Sequence, residues 1–513
     1  MEILPGTIFL CVSPLLCYGV QELAERLPTD CLLIGVEADP ALHELAAERA
    51  KALPCAQNGT FVLERPEALR AVPEKISRLN KGQYRRVIRL DMSGGAAFLA
   101  EFYDSLFEAT RNAVSQFWKN RVTLVKFGRR YAKNILQNLS LVDKAKPLPR
   151  VQKPILVLGA GESALQTILA IKREPTNAHA RERFYIIAVD AVLQTLRSLS
   201  LRPNAVICEE SQDIIARAFT GCRAWYDTLF VSASACPQVA RLCPQKNVFY
   251  TSLYEQTGFL LQLTESGILP NPIPPLGSVG LSAVKIALSI RADERIPVLV
   301  SGLDFSYSCG QTHVSGSLHE RARRIKSTRL LPFRAYGASF GADSIALSSK
   351  NGASVYTGTA LLSYARLFSF IFGKEKNLFD VGSTGLALGI PQQDIADALA
   401  QEPQPIEKAE AASEGGFTPP PAVALQGEPH SVSQFLAKER TALVQLRNIF
   451  TGKTKIPDSQ QNAQIERLLQ NREYLYLHFP DGYRLSLSQD FLNRVRIELD
   501  YFLKIIGKAS ENC

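Results

Sequence analysis

A chain of 513 residues, 46% hydrophobic and 21% charged, is long enough for three or so domains that each bury a core, so neither disulfides nor metals are needed as staples. The ten cysteines form no CxxC pair and no zinc-like spacing with histidine, which reads as buried free thiols in a reducing compartment. A formal net charge of +9 favours anionic partners, among which sugar nucleotides, acidic proteins, nucleic acid and membrane surfaces all qualify, but no nucleic-acid-binding signature accompanies it.

The first twenty residues are apolar but lack a basic leader, and Pro5, Pro14 and Gly19 interrupt them, so they read as a buried strand and turn rather than a signal peptide. No run of 18 apolar residues occurs elsewhere, so no membrane insertion is expected, and the cytoplasm is the expected location. Residues 1–110 alternate strand and helix signals. Leu32–Glu37 is an apolar strand ending in an acid, and Asp39-Pro40 starts a helix with Asp39 as cap. An acid at a strand end is the usual ribose contact in dinucleotide folds, yet no glycine-rich phosphate loop precedes it. This segment therefore reads as a degenerate Rossmann-like α/β domain that binds nothing. Residues 111–153 form a helical bridge and linker, whose basic residues Lys119, Arg121, Lys126, Arg129, Arg130 and Lys133 read as a solvated helix face.

From 154 to 398 short apolar strands alternate with helices, the pattern of a doubly wound, mostly parallel sheet. Strands are expected at 155–158, 184–190, 205–210, 228–233 and 298–302, with 248–250 as a further short one. Residues 399–430 are proline-rich, a flexible linker, and 431–513 return to amphipathic helices as a small C-terminal module.

Ligands of such sheets bind at the carboxyl ends of the strands, and the chemistry-bearing residues gather there. Gly159-Ala160-Gly161-Glu162-Ser163 links a strand to a helix. Its glycines let phosphate oxygens approach backbone N–H groups, and Ser163 adds a hydroxyl. Alone, Gly-x-Gly is equally compatible with an ordinary tight turn, being neither the full dinucleotide fingerprint nor a P-loop. Asp190, Glu209 and Glu210 close the next strands, and Gly302 and Asp304 follow another. Gly277-Ser278 precede a helix and offer a second anion-binding N-terminus. Any one acid could be a cap or surface residue, and the joint case rests on their co-location. His313 lies just past Asp304 and is the natural general base, with His319 as competitor and a structural loop histidine as the other reading. No ligand cluster calls for a metal.

The series Gly159–Leu165, Pro203-Asn204 through Glu210, Gly277-Ser278-Val279, and Gly302-Leu303-Asp304 through Thr312-His313 resembles the motility-associated-factor (Maf) glycosyltransferases, which share a domain with the archaeal hydroxymethylpterin pyrophosphokinases. The resemblance covers roughly residues 150–390 and extends to Gln116–Arg121 and Asp380–Leu386. It departs at Glu162, where the family has proline, and at Asn204, where it has aspartate.

The resemblance implies transfer of a nonulosonic, sialic-acid-like sugar from a CMP-activated donor to Ser or Thr hydroxyls of flagellin, supporting motility. It implies no required cofactor. On that reading His313 is the base, Asp304 orients it or the donor, and Gly159, Gly161, Ser163, Gly277, Ser278 and Gly302 cradle the CMP phosphate. Asp190 and Glu210 contact the ribose or base. A pyrophosphokinase that holds magnesium through Asp190, Glu210 and Asp304 is the rival enzyme. A non-catalytic flagellar assembly factor, prompted by Glu162 and Asn204, is the third reading.

Overall fold

The computed structural model describes residues 3–28, 30–65, 71–79, 82–173, 179–252, 257–308, 311–333, 344–400, 431–454 and 457–511. The chain divides into two compact units, Met1–Arg129 with Pro457–Glu498, and Arg130–Ile456 with Leu499–Cys513.

In the first unit β1 (Thr7–Val12), β2 (Leu32–Val36), β3 (Phe61–Glu64) and β4 (Arg86–Asp91) form a parallel sheet in the order β3-β2-β1-β4. β1 and β2 are buried throughout, which is why both read as unbroken apolar runs. Alternate residues of β1 enter two separate cores, Ile8, Leu10 and Val12 on one face and Phe9 and Cys11 on the other. Helix α1 (Pro40–Lys51) opens as its sequence indicates: Leu42 N–H donates to the Asp39 carboxylate at 3.0 Å, with Pro40 at the first turn. The acid closing β2, Glu37, is only 1% exposed and accepts from the hydroxyls of Ser13 and Tyr103. The position that contacts ribose in dinucleotide folds is thus filled from within.

Helix α2 (Ala100–Leu139) carries the basic residues read as a solvated face, and the structure corrects that reading for Arg121. Arg121 is 3% exposed and donates to the carbonyls of Leu477 and Phe479, anchoring the 457–498 segment within this unit. Helical periodicity locates a charged residue on a face but does not reveal what packs against it. The C-terminal helices are shared out: Val432–Phe450 belongs to the second unit and Asp458–Leu469 to the first.

The second unit is built on β5 (Ile155–Leu158), β6 (Tyr185–Val189), β7 (Ala205–Cys208), β8 (Thr228–Ser232), β9 (Asn247–Tyr250) and β10 (Val298–Ser301). A hairpin of β11 (Ile345–Ser348) and β12 (Ser354–Thr357) follows, then β13 (Leu378–Asp380). Seven strands form one all-parallel sheet in the order β13-β10-β5-β6-β7-β8-β9. The chain lays β6 to β9 outward on one side of β5, then returns to the other side for β10 and β13. The winding therefore reverses between β5 and β10, and the carboxyl ends of that pair flank the crevice where doubly wound sheets take ligands. Helices α3 (Ser163–Arg173), α4 (Leu193–Ser198) and α5 (Val279–Ile290) follow β5, β6 and β9. β11 to β13 add to the sequence reading, since β11 is largely exposed and β12 only partly buried, so neither is the fully buried apolar run that marks the central strands, and β13 has only three residues.

The expected linker past Ala400 lies outside the described residues, as do Cys309 and Gly310. Eight cysteines, among the described residues, are free and buried. Among the described residues no helix is long and apolar enough to cross a membrane.

Candidate functional site

Gly159 and Gly302 end neighbouring parallel strands, and their backbones touch. Gly159 N–H donates to Ser301 O and Gly161 N–H to Gly302 O, each at 2.8 Å. A Cβ on Gly159 would stand 2.2 Å from Gly302 O, and one on Gly161 would stand 2.5 Å from an Asp304 carboxylate oxygen. These glycines are required by close packing across the switch point.

What they admit is a carboxylate of the protein itself. Asp304 is buried, and one oxygen accepts from Ser163 N–H at 2.9 Å while the other accepts from Ser163 Oγ–H. Ser163 Oγ in turn accepts from Gly302 N–H at 3.0 Å. The amino end of α3 is therefore satisfied by an internal anion, as its dipole favours. Ser163 gives its N–H and hydroxyl to Asp304, where a phosphate contact was expected of it, and Asp304 clasps Ser163, where it was expected to orient the donor or His313. Burial pushes the Asp304 carboxyl up to about 6, with nearby Asp380 adding to the rise, while the Ser163 bonds and Lys350 pull it down.

Lys350, missed in the sequence, and Asp380, read there only as the start of a family-like segment, complete this cluster. Lys350 Nζ donates to the Asp380 carboxylate at 2.6 Å, and the side chains are 5% and 2% exposed. Asp380 also accepts from Gly382 N–H at 2.9 Å, within the segment already singled out as family-like. A cavity of about 720 Å³ opens beside this ion pair, lined among others by Gln166, Arg173 and Gln393. Lys350 carries no catalytic signal of its own, because Lys350-Asn351-Gly352 reads only as the turn of the β11–β12 hairpin and no acid stands beside it.

Glu162, the least comfortable residue for a phosphate at this turn, accepts from Ser308 Oγ–H at 2.6 Å. Asn204, the other departure, stands before β7, at the opposite end of the strands. Its side chain accepts from Ile186 N–H at 3.0 Å and so ties β7 to β6. It belongs to the sheet's framework, not to its ligand edge.

Along that edge the acids of the next strands are brought together. Asp190, after β6, is 5% exposed. Burial lifts its carboxyl to about 7, helped by the charges of Glu210 and Glu209. Glu209 is also raised by burial and accepts from Ser282 Oγ–H at 2.9 Å, in the first turns of α5. Glu210 accepts from Gln212 N–H at 2.8 Å.

Helix α5 begins between these acids and the end of β10, where Gly280 packs against Leu303. Gly277, at φ +71°, turns the chain into Ser278, which occupies the N-cap position in extended conformation but makes no side-chain cap. The opening turn of α5 thus presents N–H groups without a capping side chain.

His313 sits on a loop pinned to the glycine turn by Val314 N–H to Ala160 O at 2.8 Å, and to α4 by Thr195 Oγ–H to Ser315 O at 3.0 Å. Its Nδ1 lies 3.1 Å from Thr312 Oγ1, and its ring stacks on His319 with centroids 4.5 Å apart. Burial, then the charges of His319 and Arg323, pushes the His313 imidazole down to about 4, so it is neutral near pH 7. The structure thus holds His313 against the loop between β5 and α3, with Asp190, Glu210 and the start of α5 on the same edge of the sheet. Among the described residues no group of three or more His, Cys, Asp or Glu side chains is arranged to hold a metal ion.

This fold and strand-end arrangement define a doubly wound α/β protein, and the family model described as 6-hydroxymethylpterin diphosphokinase MptE-like matches residues 129–310. The MAf glycosyltransferase from Magnetospirillum magneticum AMB-1 has a similar structure, with a TM-score of 0.51 and 14% identity over 99% of this chain and 78% of that one. An uncharacterized protein of Treponema pallidum (strain Nichols) is 31% identical over 530 residues, covering 99% of this chain and 89% of its own. The chain belongs to the family of that treponemal protein. The MptE-like domain and the Maf fold agree with the resemblance carried by the strand-end motifs.

Proposed function

We propose that the protein is a glycosyltransferase that moves a nonulosonic sugar from a CMP-activated donor to Ser or Thr hydroxyls of flagellin. The observation that carries this reading is the uncapped start of α5 on the ligand edge of a sheet whose fold is that of a glycosyltransferase. Its N–H groups and the Ser278 hydroxyl suit the CMP phosphate, while Gly159, Gly161 and Gly302 keep the crevice floor low. Asp190 and Glu210 would contact the ribose hydroxyls or the base amine. With Asp190 lifted to about 7, it is largely protonated below neutrality and repels the donor's phosphate less.

In the transfer the acceptor oxygen attacks the anomeric carbon as the bond from that carbon to the phosphate oxygen breaks. The electron pair leaves on CMP, held by the α5 dipole. The acceptor proton passes to His313 Nε2, since Nδ1 faces Thr312. A base whose conjugate acid sits near 4 holds the proton weakly and passes it on to solvent.

The MptE-like match favours one second reading, pyrophosphoryl transfer from ATP to a pterin alcohol with magnesium. Thermal shift with CMP against ATP plus magnesium separates the two. The proposal expects a shift with CMP and none with ATP and magnesium, and His313→Ala should abolish glycosylation of flagellin while keeping the CMP shift. A shift with ATP and magnesium alone would transfer the site to the pyrophosphokinase reading. Absence of any nucleotide shift would support a non-catalytic assembly factor.

A further inference from the structure

The first unit carries a cavity of about 660 Å³ that the proposed reaction does not use. It lies between the start of β4 and the flank of α2. Val87, Val114 and Trp118 give it an apolar floor. Arg85, Arg86, Arg111 and Lys119 rim it. Arg111 pairs with Glu108 at 2.6 Å, and Arg86 donates to Pro5 O. Arg85 lies over the Trp118 ring at 4.9 Å. Among the described residues no carboxylate pairs with Arg85, Arg86 or Lys119. The rim is therefore an excess of positive charge over an apolar floor.

Two further features decide what fits. The indole of Trp118 is already used by the protein: Arg85 covers its face, Tyr483 meets it edge-on with centroids 6.0 Å apart, and its N–H donates to Tyr84 O at 2.7 Å. The face of the indole under Arg85 is thus closed to a stacking nucleobase. Meanwhile β4 is an edge strand that, among the described residues, pairs only with β1, and it is exposed or half-buried along its length, so its other side offers main-chain donors and acceptors. A second copy of this edge is repelled by the cationic rim, whereas an acidic strand is attracted.

We propose that β4 and this cavity form a docking surface for an extended acidic segment of a protein partner, which adds as a strand beside β4. Its alternate apolar side chains enter the floor over Val87 and Val114, and its carboxylates meet Arg85, Arg86, Arg111 and Lys119. The inference goes beyond the transferase reading and stands without it.

The test uses the full-length protein and two labelled synthetic decapeptides, one alternating Glu with Val and Leu, the other with Lys in place of Glu. Fluorescence anisotropy should show saturable binding of the Glu peptide that weakens with salt, and none of the Lys peptide. The double charge reversal Arg86→Glu with Lys119→Glu should weaken the Glu peptide by at least about tenfold while leaving the CMP thermal shift unchanged. Amide exchange along β4 should slow when the Glu peptide is bound. Equal binding of both peptides, wild-type affinity in the double variant, or unchanged exchange along β4 overturns the proposal. Displacement of the peptide by CMP or pyrophosphate also overturns it, reassigning the cavity to a small anion. Loss of CMP binding with peptide binding intact counts against the transferase reading alone.

Discussion

Replacing Asp190 by asparagine keeps the shape of the side chain and removes its charge, and the consequence should depend on pH. The Asp190 carboxyl is buried beside Glu210 and Glu209, and it titrates at about 7 in the fold against 3.8 in an ordinary setting. A carboxyl whose folded value is raised binds its proton more tightly in the native state. Between about 4 and 7 the native state therefore holds more protons than the unfolded one, and stability falls as pH rises. The gap corresponds to up to about 4 kcal/mol at 1.36 kcal/mol per pH unit. All of that penalty is present above pH 7, and it is gone below pH 4.

Asp190→Asn should escape it. Denaturant melts of both proteins from pH 4.5 to 9 should give curves that nearly meet at the acid end and separate as pH rises. The variant should be more stable by a few kcal/mol at pH 8, on the order of 5–8 °C in melting temperature for a unit of this size. A constant difference across the range, or a variant less stable at pH 8, refutes the account of Asp190 as a buried acid held against its charge.

Two other substitutions probe the packing around the switch point. Gly159→Ala places a methyl 2.2 Å from Gly302 O, a backbone atom that cannot turn aside, so β5 and β10 must part. The cost should reach or exceed about 3 kcal/mol, read as a drop in denaturation midpoint, and an alanine variant as stable as wild type would contradict the observed approach. Lys350→Met leaves Asp380 buried without its cation and should cost about 3–5 kcal/mol, while Lys350→Met with Asp380→Leu should recover at least half of that, as measured by a double-mutant cycle.

The sheet was readable because its strands are buried on both faces. Ile155–Leu158, Tyr185–Val189 and Ala205–Cys208 are apolar at nearly every position, and such runs mark both the strands and their ends. The strand ends in turn pointed to Gly159, Asp190, Glu210 and Asp304. Pairing between those ends was not readable. Asp304 meets Ser163 across 141 positions of sequence, and no local pattern says that β10 returns beside β5. The three-residue β13 has no periodicity to detect, so Asp380 was legible only through the family resemblance, and its pairing with Lys350 was hidden. Arg121 shows the same limit from the other side, since a basic residue among basic residues looks solvated until the element covering it is known.

The internal carboxylate at the glycine turn also fixes which helix is left for a ligand. The amino end of α3 holds Asp304, with the Glu162 carboxylate beside it, so a phosphate there would add a further negative group to two already present. The start of α5 has Ser278 at its cap position without a capping bond. If the donor's phosphate binds at α5, filling that end with a tethered anion should compete with it. Ser278→Asp supplies such an anion in a backbone conformation suited to capping, and should raise the stability of the free protein by about 1 kcal/mol or less. The same change should weaken CMP binding at least about tenfold, because the carboxylate takes the N–H groups the phosphate needs and repels it. Ser163→Ala, made in parallel, should lower stability yet leave CMP affinity nearly unchanged, because the Ser163 hydroxyl serves Asp304. Calorimetric titration of CMP into both variants decides the matter: a loss of affinity in Ser163→Ala with none in Ser278→Asp would return the phosphate to the glycine turn.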